Sequence, residues 1–230
     1  MKKRIVVLSG AGMSAESGLK TFRDNDGLWN NFRVEEVASP MAWASDMELV
    51  LEFYNQRRKQ LLEVEPNAGH LALARLEEKF DVHIVTQNVD DLHERAGSTQ
   101  VLHLHGELKK VRSTIDPDLV FELDGWELKA GDKCPKGSQL RPHIVWFGEP
   151  VPYISRAAEI TTTADFLLVI GTSLQVYPAA GLVHYAPVES IKYYIDPAAF
   201  STSILENLTV IKEKAGHAVP RVVDELLSLV

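Results

Sequence analysis

Several residues in this chain have the types and spacing to do chemistry. In "TQNVDDLHERAG", Gln87, Asn88 and Asp90 follow one another closely. An Asn and an Asp separated by one residue can read a carboxamide, which both donates and accepts hydrogen bonds; the same pair could equally start a helix as an N-cap. In "VLHLHGEL", His103 and His105 fall on the same side of an extended segment. A histidine is often structural, but one beside a glycine at a strand end is a candidate general base. In "SGAGMSAESG", Gly10 and Gly12 would let backbone approach a pyrophosphate, with the following amides facing it. Ala15 stands where the strict GxGxxG pattern has its third glycine, so a tight strand-to-helix turn without a ligand is the other reading. The polar loop after it, "TFRDNDGLW", carries Phe22, Arg23 and Trp29. Cys134, in "GDKCPKGSQLRPHIVWFGE", looks like half of a CxxC knuckle whose second half would fall at Gly137. Tetrahedral zinc needs four N/S ligands, so one cysteine, with His143 nine residues on, predicts no metal site.

Secondary structure must bring these residues together. "RIVVLSG", "DVHIVTQN", "FLLVIGTS" and "KYYIDP" are short apolar runs ending in small or polar residues, the pattern of strands buried in a parallel sheet. "PNAGHLALARLEEKF" repeats apolar residues at Leu71, Leu73, Ala74, Leu76 and Phe80, as an amphipathic helix does. "PAAGLVHYAP" and "PRVVDELLSLV" are further helix candidates, the second with Pro220 in its first turn. Alternating strands and helices predict an open α/β sheet, which binds ligands at the carboxyl edges of its strands. Those edges read "SGAGMS", "TQNVDD", "GTSL" and "IDP". Residues 31–66 read as mostly helical and residues 106–142 as short strands and turns. They are expected to build a small second module, with residues 1–30, 67–105 and 143–230 forming the sheet domain.

Composition sets bounds on the function. The chain has 230 residues, 45% hydrophobic and 24% charged, as in an ordinary globular protein. A net charge of −8 implies no basic face for nucleic acid. A single cysteine excludes an internal disulfide framework. The apolar run in "MKKRIVVLSGAG" is too short for a signal sequence, and no apolar stretch approaches the ~20 residues that cross a membrane. A cytoplasmic location is expected.

"GAGMSAESG…FR", "TQNVDDLHERAG", "HLHG", "RPHIVWFGE", "GTSL" and "KAGHAVP" resemble, in order and over almost the whole chain, the sirtuins, NAD-dependent protein-lysine deacylases. The resemblance implies an inverted Rossmann-type domain with a small module, NAD and acyl-lysine meeting between them. It implies that Gly10, Ala11, Gly12, Met13, Ser14, Ala15, Glu16, Ser17, Gly18, Thr21, Phe22, Arg23 and Trp29 lie in the first cofactor loop. Gln87, Asn88, Val89 and Asp90 would surround the nicotinamide and its ribose, with Asn88 and Asp90 holding the carboxamide. Gly171, Thr172 and Ser173 would approach the phosphates and adenosine ribose, and Asp196, Pro197, Ala198 and Ala215 the adenosine end. His105 matches the catalytic base, and Val145, Trp146, Phe147, Gly148 and Glu149 look like the strand that pairs with the substrate backbone.

Two departures from the family pattern matter. Ser113 and Asp116 stand in place of one cysteine pair, and Cys134 alone is left of the other, so it looks like the remnant of a lost zinc ribbon. The module must then be held by its own core, for which Val111, Ile115, Leu119, Phe121, Leu123, Trp126 and Leu128 are the expected contributors. Lys20 stands where the family usually has proline. In "FYNQRR", Tyr54 and Arg57 at i and i+3 share a helix face and match the Tyr-x-x-Arg pair of sirtuins acting on succinyl- and malonyl-lysine. Ala38 matches the small residue that enlarges that acyl pocket.

The expected function is therefore NAD-dependent removal of succinyl, malonyl or acetyl groups from protein lysines, giving nicotinamide and O-acyl-ADP-ribose. Acylated-lysine proteins are the expected partners, with neither nucleic acid nor membrane, and the oligomeric state is open. An ADP-ribosyltransferase on the same fold and a silent NAD-sensing module are the alternatives.

Overall fold

A computed structural model describes residues 2–19, 28–29, 32–200 and 205–229. Thr21, Phe22, Arg23 and Lys20 lie outside the described residues. Strand β1 (Arg4–Ser9) leads into 3₁₀ turns at Ala11–Met13 and Ala15–Ser17. A short hairpin of β2 (Leu28–Trp29) and β3 (Phe32–Arg33) precedes helices α1 (Val34–Val37), α2 (Pro40–Ser45) and α3 (Met47–Leu62). Next come α4 (Ala68–Arg75), β4 (Asp81–Thr86), α5 (Leu92–Arg95) and β5 (Val101–His103). Strands β6 (Gly106–Ser113), β7 (Val120–Glu122) and β8 (Leu140–Ile144) follow. Last are α6 (Ile154–Thr161), β9 (Phe166–Ile170), a 3₁₀ segment Ala179–Tyr185, β10 (Ile191–Ile195), β11 (Leu208–Ile211) and α7 (Ala215–Leu227).

Six strands form one parallel sheet in the order β11-β10-β9-β1-β4-β5. Renumbered by appearance within the sheet, that is the doubly wound order 3-2-1-4-5-6, with its reversal between β1 and β9. Alternate residues of β1 feed two cores. Ile5 and Val7 pack with Leu73 and Leu76 near α4 and with Val219 and Val223 of α7. Val6 and Leu8 pack with Ala157 of α6 and Leu182 and Val183 of the 3₁₀ segment. The four interior strands, β1, β4, β9 and β10, are largely buried on both faces, which is why the four apolar runs were legible as strands.

Local details correct several expectations. Leu71 is exposed, and Ala72 takes the buried position. "PAAGLVHYAP" forms a 3₁₀ segment rather than an α-helix. Helix α7 starts at Ala215, so Pro220 lies inside it. "VWFGE" is not a strand: the Glu149 amide bonds the Trp146 carbonyl at 2.9 Å, the Glu149 carboxylate bonds the Trp146 amide at 2.8 Å, and Gly148 turns at φ +90°. The carboxylate therefore closes a tight loop.

Residues 106–142 contain the antiparallel sheet β7-β6-β8. Polar groups on α3 hold this ribbon. Asn55 Nδ2 donates to Leu128 O at 3.0 Å while its Oδ1 accepts from Leu128 N at 2.9 Å. Arg58, buried, donates to Leu108 O at 2.6 Å and to Asn55 Oδ1 at 2.8 Å. Leu51, Val111 and Leu128 form the local core, with Phe121, Leu123 and Leu140 against it. Ile115 is 66% exposed and contributes nothing to that core, because its loop faces solvent. Ser113 and Cys134 still converge: the Ser113 and Ser138 hydroxyls lie 2.9 Å apart, with Cys134 Sγ 3.4 and 3.2 Å from them. Lys136 pairs with Asp116 at 2.6 Å. Hydrogen bonds occupy the corner where the resemblance places metal bonds.

Candidate functional site

Because the sheet is parallel, the carboxyl ends of β1, β4, β5, β9 and β10 share one edge, and the candidate residues follow them directly. At the reversal between β1 and β9, two backbone segments touch. Gly10 N donates to Ile170 O at 2.9 Å and Gly12 N to Gly171 O at 2.8 Å. A Cβ on Gly171, at φ +63°, would lie 2.2 Å from Met13 N, and one on Gly10 or Gly12 would lie 2.8 Å from atoms of the 171–172 segment. The glycines are required by this approach.

Ser14, Asn88 and Asp90 meet behind that junction, all buried. Asn88 Nδ2 donates to Ser14 Oγ at 3.1 Å, and the Ser14 side chain bonds Asp90. Burial raises the Asp90 carboxyl above its ordinary range, opposed by bonds from Leu92 N and Ser14 and by the charges of His103 and Arg57. Asp90 also accepts the Leu92 amide at 3.2 Å, but the N-cap of α5 is Asp91, so neither Asn88 nor Asp90 caps the helix. Gln87 Nε2 reaches Thr172 Oγ1 at 3.2 Å, joining the β4 and β9 edges.

The two histidines of "HLHG" part company. His103 has both ring nitrogens engaged, Nδ1 with Asn88 O at 2.9 Å and Nε2 with Glu94 at 2.7 Å. Burial opposes its charge, but the Glu94 and Asn88 oxygens outweigh burial and raise its pKa. His105 bonds only through Nδ1, to Gln87 O at 3.2 Å, among its described contacts. A carbonyl accepts, so Nδ1 carries the proton and Nε2 the lone pair. Burial lowers the His105 pKa against that carbonyl, favouring the neutral ring.

Further along the edge, the Asp196 carboxylate accepts from Ala198 N at 2.8 Å, and buried Ala215 opens α7. Glu16 accepts from Gly216 N at 2.6 Å, a carboxylate at a helix N-terminus. On the other side, the Ala38 carbonyl accepts from Phe147 N at 3.0 Å and His105 O accepts from Val145 N at 2.9 Å. Tyr54 and Arg57 are both buried on α3. Trp146 Nε1 donates to Tyr54 OH at 3.0 Å. Burial pushes the Tyr54 pKa up to about 12 and the Arg57 pKa down to about 10, the latter against the attraction of Tyr54 and Asp90.

Sequence reasoning missed a buried layer beneath these residues. Asn67 N can only donate, so His70 Nδ1 accepts it at 3.3 Å and His70 Nε2 turns its proton to Ser14 Oγ at 3.4 Å. The Asn67 side chain donates to Met13 O at 2.8 Å and to Ser17 Oγ at 3.1 Å. His93 lies 4.9 Å from His70, ring to ring, and bonds Ser9 Oγ at 3.0 Å. The signal was a polar residue on the apolar side of a helix start, in "PNAGH". Burial lowers His70 to about 4 and His93 well below its ordinary value, with His70 and His103 adding repulsion at His93. Both histidines thus fold neutral. Their stabilising contribution is complete above pH ~6.5 and is lost as pH falls toward the folded values, roughly 3 kcal/mol for His70 alone. Urea midpoints should fall between pH 6.5 and 4.5, more gently in His93→Gln; identical slopes would contradict this reading.

Among the described residues, no group of three or more His, Cys, Asp or Glu side chains is placed to hold a metal ion. Among them also, no helix is long and apolar enough to cross a membrane.

The Sir2 family model matches residues 10–178. The chain is 54% identical over 229 residues to an "NAD-dependent protein deacylase" of Helicobacter pylori, covering 99% of both chains. It is 54% identical over 222 residues to one of Bacteroides thetaiotaomicron, covering 94% of this chain and 95% of that one. A Sir2 homologue solved as an NAD complex superposes with a TM-score of 0.88 at 40% identity, covering 99% of this chain and 91% of that one. A Sir2 variant solved with a deacetylated p53 peptide and 3′-O-acetyl-ADP-ribose gives 0.81 at 28% identity, covering 97% and 94%. With its doubly wound sheet and this strand-edge site, the chain belongs to the Sir2 family, the sirtuins.

Proposed function

We propose that this protein is an NAD-dependent protein-lysine deacylase that favours acyl groups ending in a carboxylate. Deacylation is the activity for which the closely similar relatives are named. The glycine junction at the β1/β9 reversal fits a dinucleotide, because only backbone without Cβ atoms leaves both segments close enough to present their edge to a pyrophosphate. Gly10, Gly12, Gly171 and Thr172 would hold the phosphates, Asp196 and Ala215 the adenosine end, and Asn88 and Asp90 the carboxamide. When bound, NAD would supply the ribose carbon that receives the acyl oxygen as nicotinamide leaves; with one water consumed to release the lysine amine, the products are free lysine, nicotinamide and O-acyl-ADP-ribose. His105, held through Nδ1 by Gln87, offers Nε2 to accept a ribose hydroxyl proton. Ser14 and His103 keep Asn88 and Asp90 in place from behind.

The preference for acidic acyl groups rests on one observation, the guanidinium of Arg57 buried beside Tyr54 and attracted by Asp90. A carboxylate brought against that guanidinium would gain charge-assisted hydrogen bonds that a methyl group cannot make. Incubation with NAD and matched acetyl-, malonyl- and succinyl-lysine peptides, followed by mass spectrometry, tests both parts. O-acyl-ADP-ribose formed fastest from the succinyl or malonyl peptide is the expected product. Fastest turnover of the acetyl peptide would overturn the preference, and ADP-ribosylated protein without deacylation would overturn the activity.

A further inference from the structure

The segment Val145–Glu149 was expected to meet the peptide backbone, but the Trp146 side chain faces the interior. Trp146 is 2% exposed, and its Nε1 donates to Tyr54 OH at 3.0 Å across 92 residues of sequence. The indole has two ring contacts. Arg141 Cζ lies 3.3 Å from the ring centroid, and the Trp43 ring lies 5.6 Å away. Arg141 is itself fixed by Glu149, at 2.7 Å through Nη1 and 3.1 Å through Nη2, while Arg112 reaches the same carboxylate at 3.2 Å. Glu149 closes the circuit on the Trp146 amide at 2.8 Å. This is a two-pronged, charge-assisted clamp around one aromatic ring.

A phenol has one proton to donate and lone pairs to accept with. An indole N–H can only donate, so its bond to Tyr54 occupies an acceptor position and leaves the phenolic proton to be given elsewhere. A phenol that already accepts a bond is also a stronger donor. We infer that Trp146 is a specificity-determining positioning residue: through its Nε1–H it sets Tyr54 as a hydrogen-bond donor to the acyl group. The inference rests on the acidic-acyl reading above. It gives Arg141 and Glu149 a shared task, since the loop they clamp carries the indole that bonds Tyr54.

The test compares wild type, Trp146→Phe, Tyr54→Phe and the double variant, on succinyl- and acetyl-lysine forms of one peptide. Peptide Kd and kcat/KM are measured together with thermal unfolding. Losing one hydrogen bond to the ligand should lower the succinyl-to-acetyl ratio of kcat/KM about 5- to 10-fold in Trp146→Phe. The same fall should appear in the ratio of peptide affinities. In a Tyr54→Phe background, Trp146→Phe should change the ratio by less than twofold, because the donor it sets is gone. Replacing Trp146 with 3-benzothienylalanine, which keeps the ring shape and lacks the N–H, should reproduce the Phe result, and it serves as the informative variant if Trp146→Phe does not fold. An unchanged ratio in the benzothienyl variant, or independent losses in the two backgrounds, overturns the inference. A wild type that handles acetyl better than succinyl peptide overturns the acidic-acyl reading instead, so the two failures are distinguishable.

Discussion

Replacing His105 with alanine should reduce deacylation by roughly 10²–10⁴-fold while NAD binding, measured by calorimetry, persists. The expectation follows from where each nitrogen of the ring is engaged. Nδ1 is anchored on Gln87 O, the first residue past β4 and the one before Asn88, so Nε2 is presented from the rim where Asn88 and Asp90 gather. Burial lowers its pKa below the usual 6.5, so the ring is a competent acceptor at neutral pH. The acid limb of kcat/KM should accordingly lie below pH 6.5. Sequence spacing left His103 as a second candidate, and its two engaged nitrogens give it another task. His103→Ala should instead lower stability, since it strips the partner from the Asn88 carbonyl and from Glu94. Retained turnover in His105→Ala would mean that the base lies elsewhere.

Arg57→Met should lower desuccinylation by about 30-fold or more, the range for removing one member of a desolvated charge pair, and deacetylation far less. Methionine keeps most of the buried volume against Phe53, whose ring the guanidinium overlies at 5.9 Å. The substitution therefore tests charge more than packing. It also removes a positive charge that pulls the Asp90 carboxyl downward, so Asp90 should titrate still higher in the variant. Equal loss on both acyl groups, with unfolding temperature unchanged, would place the role of Arg57 at Asp90 rather than at the acyl carboxylate.

The parts legible in the sequence were those buried uniformly. Strands β1, β4, β9 and β10 sit inside the sheet and read as short, mostly apolar runs, and the polar residues just after them gather at one edge. Strand β11 escaped notice because it is an edge strand of four residues, only partly buried, whose Thr209 interrupts the pattern. The interior polar groups were harder. Hydrophobic periodicity gives polar side chains no partner, so in "NQRR" only Arg57 was singled out, yet Asn55 and Arg58 bond backbone groups of the ribbon. His70 and His93 were hidden for the same reason. Apart from nearby Asn67, the pair is specified by partners far away in sequence, Ser9 and Ser14, which no local window contains.

The bond from Gly216 to Glu16 spans 200 residues, and Met13 shares its core cluster with Ala215 and Ala218. During synthesis the first loop therefore emerges long before the helix that supports it. At about 5–20 residues per second, the ribosome leaves that loop without its closing contacts for roughly 10–40 s. A nascent chain stalled just short of α7 would carry the strands of the sheet and still lack the contacts that close this loop. The first loop thus gains its closing contacts only once α7 has been made, however early its own residues emerge.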